Sequence, residues 1–310
     1  MANLSDMQLI LTGAITEAIR ARHASIDVDH LLMGLVSAGG PSAALLAGQG
    51  VGLAELRTAA RRLERDDLIA AGVEPPAPLP DRDLTPTQTY ELLRRGDWDF
   101  APEAKQLAKA ITVGPLDDRE VLAAALEDPR AAEFLGRAGA APEVLRAALA
   151  MGDLALPDQD RPRGEIAVEK LITAPMDQVW PLLADPAARL TWDQTLSDTV
   201  VAEDGTLEQT VRGAGRRAVV PHRLTSVDPP ADGRARVTWQ ETYGAGGSEL
   251  DLELTEVEGG TRIRLVRRLS EPRNLLQRVS RLWSVPFLRG GLGIMAQELN
   301  QAVADAQTRS

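Results

Sequence analysis

The sequence predicts two architectures in one chain. Residues 1–152 read as an all-α domain of duplicated helical units, and residues 165–310 as an α+β domain in which an antiparallel sheet wraps a long C-terminal helix. Three observations predict this. Apolar residues recur at helical spacing up to about residue 150, internal similarity links two stretches of that region, and the period changes to strict alternation after residue 164.

The first helix is expected behind Ser5-Asp6-Met7-Gln8, a capping-box pattern, with Met7, Ile10, Leu11, Ala14, Ile15, Ala18 and Ile19 on one apolar stripe. A second is expected to start at Asp27, whose carboxylate is placed to cap it, and to stop at Gly39-Gly40-Pro41. Short helices follow over 42–47 and from Leu53 to about Glu64. The stretch Ala43-Ala44-Leu45-Leu46 … Glu55-Leu56-Arg57 is then echoed by Ala131-Ala132-Glu133-Phe134 … Val144-Leu145-Arg146. Each copy follows a helix with an acidic start, at Asp27 and at Asp117, which places two units at about 4–65 and 85–150. Proline-rich 70–86 connects them, and polar, aperiodic 153–164 reads as an inter-domain linker.

Beyond the linker, Glu165 to Thr173 reads as a strand, and Pro175 opens a short helix through Val179, Trp180, Leu182 and Leu183. A second turn holds Leu190 and Trp192. Six alternating segments follow, at 199–202, 206–212, 217–227, 234–243, 248–257 and 261–269, with Asp204-Gly205 and Gly259-Gly260 as hairpin signals. The closing helix is expected over 275–306, interrupted near Pro286 and Gly290-Gly291.

Composition removes several classes of function. The formal net charge is −11, and 15 basic residues face 22 acidic ones up to residue 150, 19 against 23 after it, so neither half suits a nucleic-acid backbone. There is no cysteine, which excludes disulfides, thiolate catalysis and cysteine-ligated metals. His23 and His30 lack the i, i+4 spacing that sets two metal ligands on one helix face, and neither a metal nor a cofactor is expected. No G-x-x-x-x-G-K-[ST] occurs, so the chain is expected to have no nucleotide-driven activity. Residues 1–20 do not read as a signal peptide and no run of about 18 apolar residues is present, so a cytoplasmic location without membrane spans is expected.

Ile26-Asp27-Val28-Asp29-His30-Leu31-Leu32-Met33-Gly34-Leu35, together with the duplication and Thr85-Pro86, resembles the N-terminal domain of Clp-type unfoldases over roughly residues 4–150. The resemblance implies a surface that docks peptides or proteins, Clp protease components among them, with Asp27, Asp29 and Asp118 at the peptide-binding positions. Val28 stands where that family has threonine, and Asp118-Arg119-Glu120 where it has T-E-H, which puts recognition of phosphorylated arginine in doubt. The order strand, two short helices, six strands, long helix, with Ile172-Thr173-Ala174-Pro175 and the Val179–Pro186 segment, resembles the START/polyketide-cyclase superfamily over about 164–307. That resemblance implies a helix-grip fold around a cavity for a hydrophobic small molecule.

Alternation assigns the faces of the strands. His222, Glu241 and Arg267 fall on otherwise apolar stripes, where an unpaired charge is costly. Either they pair with each other or they face a polar cavity. The expected pocket adds Trp192, Trp239, Tyr243, Trp283 and Phe287 as apolar walls, a mixture typical of small-molecule sites. The reading is a non-catalytic binding protein. The alternatives are a cyclase or dehydratase using His222 or Glu241 as acid or base, and a structural adaptor with a filled core.

Overall fold

A computed structural model describes residues 4–77, 88, 91–92, 98–113, 117–151, 165–196, 198–213, 216–243, 246–270 and 275–309. Two compact units emerge, Met1–Leu156 with Ala304–Ser310, and Pro157–Val303. The expected linker at 153–164 and the Thr85-Pro86 opening lie outside the described residues.

The described helices of the first unit are α1 (Leu4–Ala21), α2 (Val28–Ser37), α3 (Pro41–Ala47), α4 (Leu53–Ala70), α5 (Pro102–Val113), α6 (Asp118–Leu126), α7 (Pro129–Ala138) and α8 (Pro142–Met151). The α2 helix is apolar nearly all round, and such a helix must be enclosed. Accordingly Leu31, Leu32, Met33, Leu35 and Val36 are all buried, and α2 touches α1, α3, α4, α5, α6 and α7. Gly34 makes the closest crossing possible. A Cβ there would stand 2.2 Å from the Ile10 carbonyl oxygen and 2.6 Å from the Ala14 nitrogen of α1.

Caps fix the helix starts. Asp27 accepts from the Val28 amide at 2.7 Å, while its own N–H donates to His30 Nδ1 at 2.9 Å. Asp117 and Glu120 form the equivalent box at α6. Two features differ from the expectation. The α1 helix already runs from Leu4, so Ser5 lies inside it and is no cap. A two-residue parallel pairing of β1 (Ser25–Ile26) with β2 (Asp99–Phe100), too short to leave a period-2 signal, also joins the unit.

The second unit holds β3 (Ile166–Ile172), α9 (Met176–Ala184), α10 (Pro186–Trp192), a 3₁₀ turn (Gln194–Leu196), then β4 (Thr199–Val201), β5 (Leu207–Gly213), β6 (Arg216–Ala231), β7 (Arg234–Tyr243), β8 (Gly246–Val257), β9 (Gly260–Leu269) and, up to Val303, α11 (Leu275–Arg309). The seven strands form one antiparallel sheet, β3-β9-β8-β7-β6-β5-β4, so the first strand closes against the last. This antiparallel sheet followed by a long helix is a helix-grip arrangement.

Alternation divides the two faces. Val237, Trp239, Leu250, Leu252, Ile263 and Leu265 join the core with Leu292, Met295, Ala296, Leu299 and Val303 of α11. The opposite face carries ion pairs, centred on Asp251, which accepts from Thr238 Oγ1 and Arg236 Nη2 (both 2.7 Å) and from Arg268. Burial pushes the Asp251 carboxyl up, but these donors outweigh it and hold the group below the usual carboxylate range.

The interruption expected in the last helix does not occur, and α11 runs through Pro286 and the glycine pair. A proline removes one intrahelical bond at about 3 kcal/mol, a cost that the five core side chains downstream exceed at about 1.5–3 kcal/mol for each large one buried.

Candidate ligand-binding site

A polar row crosses the core face of the sheet, one residue from each of five adjacent strands. His222 on β6 stands opposite Glu241 on β7, which stands opposite Ser248 on β8. Gln209 on β5 and Arg267 on β9 lie on the same face, two positions off that row. From α10 come Arg189 and, at the helix end, Asp193, four residues apart and so on one side of the turn. Arg189, Asp193, His222, Glu241 and Ser248 are all buried.

Glu241 is the centre. Its Oε2 accepts from Ser248 Oγ at 2.7 Å, and its Oε1 accepts from Arg267 Nη2 at 3.1 Å. His222 Nδ1 and Arg189 Nη2 approach the same Oε1 at 3.5 and 3.8 Å. Burial alone would push this carboxyl up. The imidazole, the two guanidinium groups and the serine outweigh it, and the group is held well below the usual carboxylate range. Gln209 donates its amide to the Thr195 carbonyl, which turns its Oε1 toward His222 Nε2 at 3.1 Å. Both ring nitrogens of His222 therefore face oxygens.

Arg189 is clamped along one edge. Its Nε donates to Asp193 Oδ2 at 3.0 Å, and Asp193 Oδ1 is in turn satisfied by the Thr195 amide at 3.0 Å. The guanidinium carbon sits 4.5 Å from the centroid of the Trp239 ring, a cation–π stack. Beside it Glu298 of α11 accepts from the Gln194 amide at 3.2 Å, and burial together with the charge of Asp193 pushes its carboxyl well up.

The row is not closed. Among the described residues Arg189 Nη1 and Nη2, Arg267 Nε and His222 Nδ1 are buried without a hydrogen-bond partner. The ion-pair contact of Nη2 with Asp193 Oδ2, 2.9 Å long, lacks hydrogen-bond alignment. Each such group costs about 1–3 kcal/mol if left dry, so the cluster has donors to spare for acceptor oxygens. It is a poor general base at Glu241, because a base working near neutral pH needs a pKa near 7 and this one is depressed.

Of the residues expected to line a pocket, His222, Trp239, Glu241 and Arg267 come together. Trp192 is buried in the core with its indole N–H donating to the Leu182 carbonyl at 2.8 Å. The side chains of Tyr243 and Trp283 lie outside those described. Phe287 corrects the expectation: it is 82% exposed, because it stands on α11 away from the Leu292–Met295–Leu299–Val303 stripe. Arg189, Asp193, Gln209 and Ser248 escaped sequence reasoning. The i, i+4 Arg189–Asp193 spacing beside Trp192 was the available signal.

In the first unit the three acidic residues are engaged locally. Asp27 caps α2, Asp29 lies 3.1 Å from His30 Nδ1, and Asp118 accepts from the Ser42 amide at 2.9 Å. Asp29 and His30 line a cavity of about 40 Å³ with Arg20, His23, Arg57 and Glu64. His30 Nδ1 lies 2.9 Å from the Asp27 amide nitrogen, and its Nε2 lies 2.9 Å from His23 Nδ1.

Residues 163–305 match the family model described as polyketide cyclase/dehydrase and lipid transport. The second unit carries a domain of this family. Solved structures similar to it include TTHA0849 from Thermus thermophilus (18% identity, 46% of this chain and 98% of that one, TM-score 0.35). A protein of unknown function, SA2116 from Staphylococcus aureus, is similar at 17% identity, covering 47% of this chain and 96% of that one, TM-score 0.36. CalU16 from Micromonospora echinospora is similar at 20% identity, covering 47% and 86%, TM-score 0.25. No curated protein matches the chain in sequence. Among the described residues no single helix is long and apolar enough to cross a membrane, and no group of three metal-ligating side chains occurs.

Proposed function

We propose that the chain is a non-catalytic binding protein whose polyketide-cyclase/lipid-transport domain holds a hydrophobic small molecule. The observation that carries this reading is the polar row of Arg189, His222, Glu241 and Arg267, set against an apolar core and left with open donors. Apolar walls with a few oriented polar groups are the ordinary composition of a small-molecule site. The family match supports a hydrophobic ligand. Titration of the full chain with the neutral fluorophore N-phenyl-1-naphthylamine tests it. Saturable, stoichiometric enhancement is expected, and enhancement no greater than with an unrelated acidic protein would sink the reading.

The helical unit, on this proposal, is a duplicated Clp N-terminal-like domain that docks a peptide or protein. Support comes from the matching order of its helices and from two capping boxes, Asp27 with His30 and Asp117 with Glu120. Phe134 and Leu145 are buried in the second set as Leu46 and Leu56 are in the first. The chain would then serve as a ligand-responsive accessory or decoy of Clp proteolysis in the cytoplasm. Affinity of the full chain for a Clp protease component, measured with and without bound ligand, is expected to differ. Equal values would remove the coupling.

A further inference from the structure

We infer that the ligand carries a carboxylate, seated on the open edge of Arg189 with Arg267 and His222 beside it. The inference rests on the proposed binding of a hydrophobic molecule and specifies the end of that molecule which enters the core. Of the four open positions, three are nitrogens that can only donate: Arg189 Nη1, Arg189 Nη2 and Arg267 Nε. An ammonium group would meet donors with donors. A hydroxyl would satisfy one of them, whereas a carboxylate offers two coplanar acceptor oxygens matched to the fork of a guanidinium.

Arg189 is built as the receptor for such a group. The residue is 1% exposed, its Nε is consumed by Asp193, and its plane is stacked on Trp239, so the guanidinium is fixed before anything binds. Asp193 is itself held by the Thr195 amide, and its Oδ2 lies along the Nε–Nη2 side of Arg189, 3.0 and 2.9 Å from those two nitrogens, which leaves the Nη1–Nη2 side open. Glu241 cannot close the gap, since its Oε1 stands 3.8 Å from Arg189 Nη2 and already accepts from Arg267. Two cations, Arg189 and Arg267, face two carboxylates, Asp193 and Glu241, and His222 completes the cluster with Nδ1 3.5 Å from Glu241 Oε1 and Nε2 3.1 Å from Gln209 Oε1.

The test is isothermal titration of the full chain with matched pairs, decanoate against decanamide and 2-naphthoate against 2-naphthamide, which share shape and differ in charge. At least one carboxylate should bind tenfold or more tightly than its amide. In the charge-neutral double variant Arg189→Gln/Asp193→Asn, the preference should fall to within about twofold while amide binding survives. Amides that equal the acids in the unaltered chain overturn the carboxylate and leave the hydrophobic-ligand reading standing. A preference that persists in the double variant overturns the assignment to Arg189. Failure of all four compounds to bind overturns both, and the comparison on the unaltered chain decides even if the variant does not fold.

Discussion

Glu241→Gln is the substitution with the sharpest consequence for stability. The wild-type carboxylate accepts from Ser248 at 2.7 Å and Arg267 at 3.1 Å, and it faces His222 and Arg189 within 4 Å. Glutamine keeps one acceptor for Ser248 or Arg267, but its amide protons then point at donors, and the buried Arg189 and half-buried Arg267 lose a counter-charge. Removing one member of a buried ion pair costs about 3–5 kcal/mol, and the retained acceptor places this change near 3 kcal/mol. With a urea m-value of about 2 kcal/mol/M, the midpoint should fall by about 1.5 M. Tryptophan fluorescence reports it, because four of the five tryptophans, Trp180, Trp192, Trp239 and Trp283, belong to the second unit. The pH dependence follows from linkage. The folded carboxyl lies below its ordinary value of 4.5, so its contribution is complete above that value and is lost as pH falls toward the depressed one. The gap between wild type and variant should therefore be full at pH 7 and narrower at pH 3. A variant within 0.5 kcal/mol of wild type at pH 7, where about 3 is expected, would refute the buried-network account.

Glu298→Gln should act in the opposite sense. Its folded carboxyl is raised well above 4.5, so the wild type loses stability as pH rises through that window, and the glutamine variant should be the more stable at pH 8 and equal at pH 4 in thermal melts. Gly34→Ala should cost the helical unit about 1–3 kcal/mol by overpacking α1 against α2, read as an earlier loss of helical circular dichroism. Asp118→Ala strips the acceptor from the Ser42 amide and should cost about 1–2 kcal/mol, with the more conservative Asp118→Asn recovering most of it.

Much of the fold was legible because it is written in local periodicity. The alternation over Arg234–Tyr243 marks β7 to the residue, and the neighbouring strands fall within a few residues of their expected ends. The polar residues on apolar stripes were legible for the same reason: His222, Glu241 and Arg267 break a pattern, and the structure pairs Arg267 with Glu241. Arg189 was not. On a seven-residue helix an arginine reads as a solvent-facing residue, and its burial depends on β7, some fifty positions later in the chain. Ser248 likewise carries no signal until the register sets it opposite Glu241. The continuous α11 was misjudged because local propensity weighs Pro286 and the glycine pair, whereas tertiary burial of Leu292, Met295, Leu299 and Val303 decides. Phe287 shows the reverse, an aromatic side chain whose apolarity suggested a pocket wall and whose helical phase turns it outward.

Native mass spectrometry of the full chain, followed by denaturing analysis of whatever it releases, tests the central claim most directly. The account predicts a one-to-one mass increment from a hydrophobic small molecule, carried from expression or restored by adding decanoate or 2-naphthoate, and lost when the chain unfolds. A bare mass that neither compound changes at millimolar concentration would contradict it.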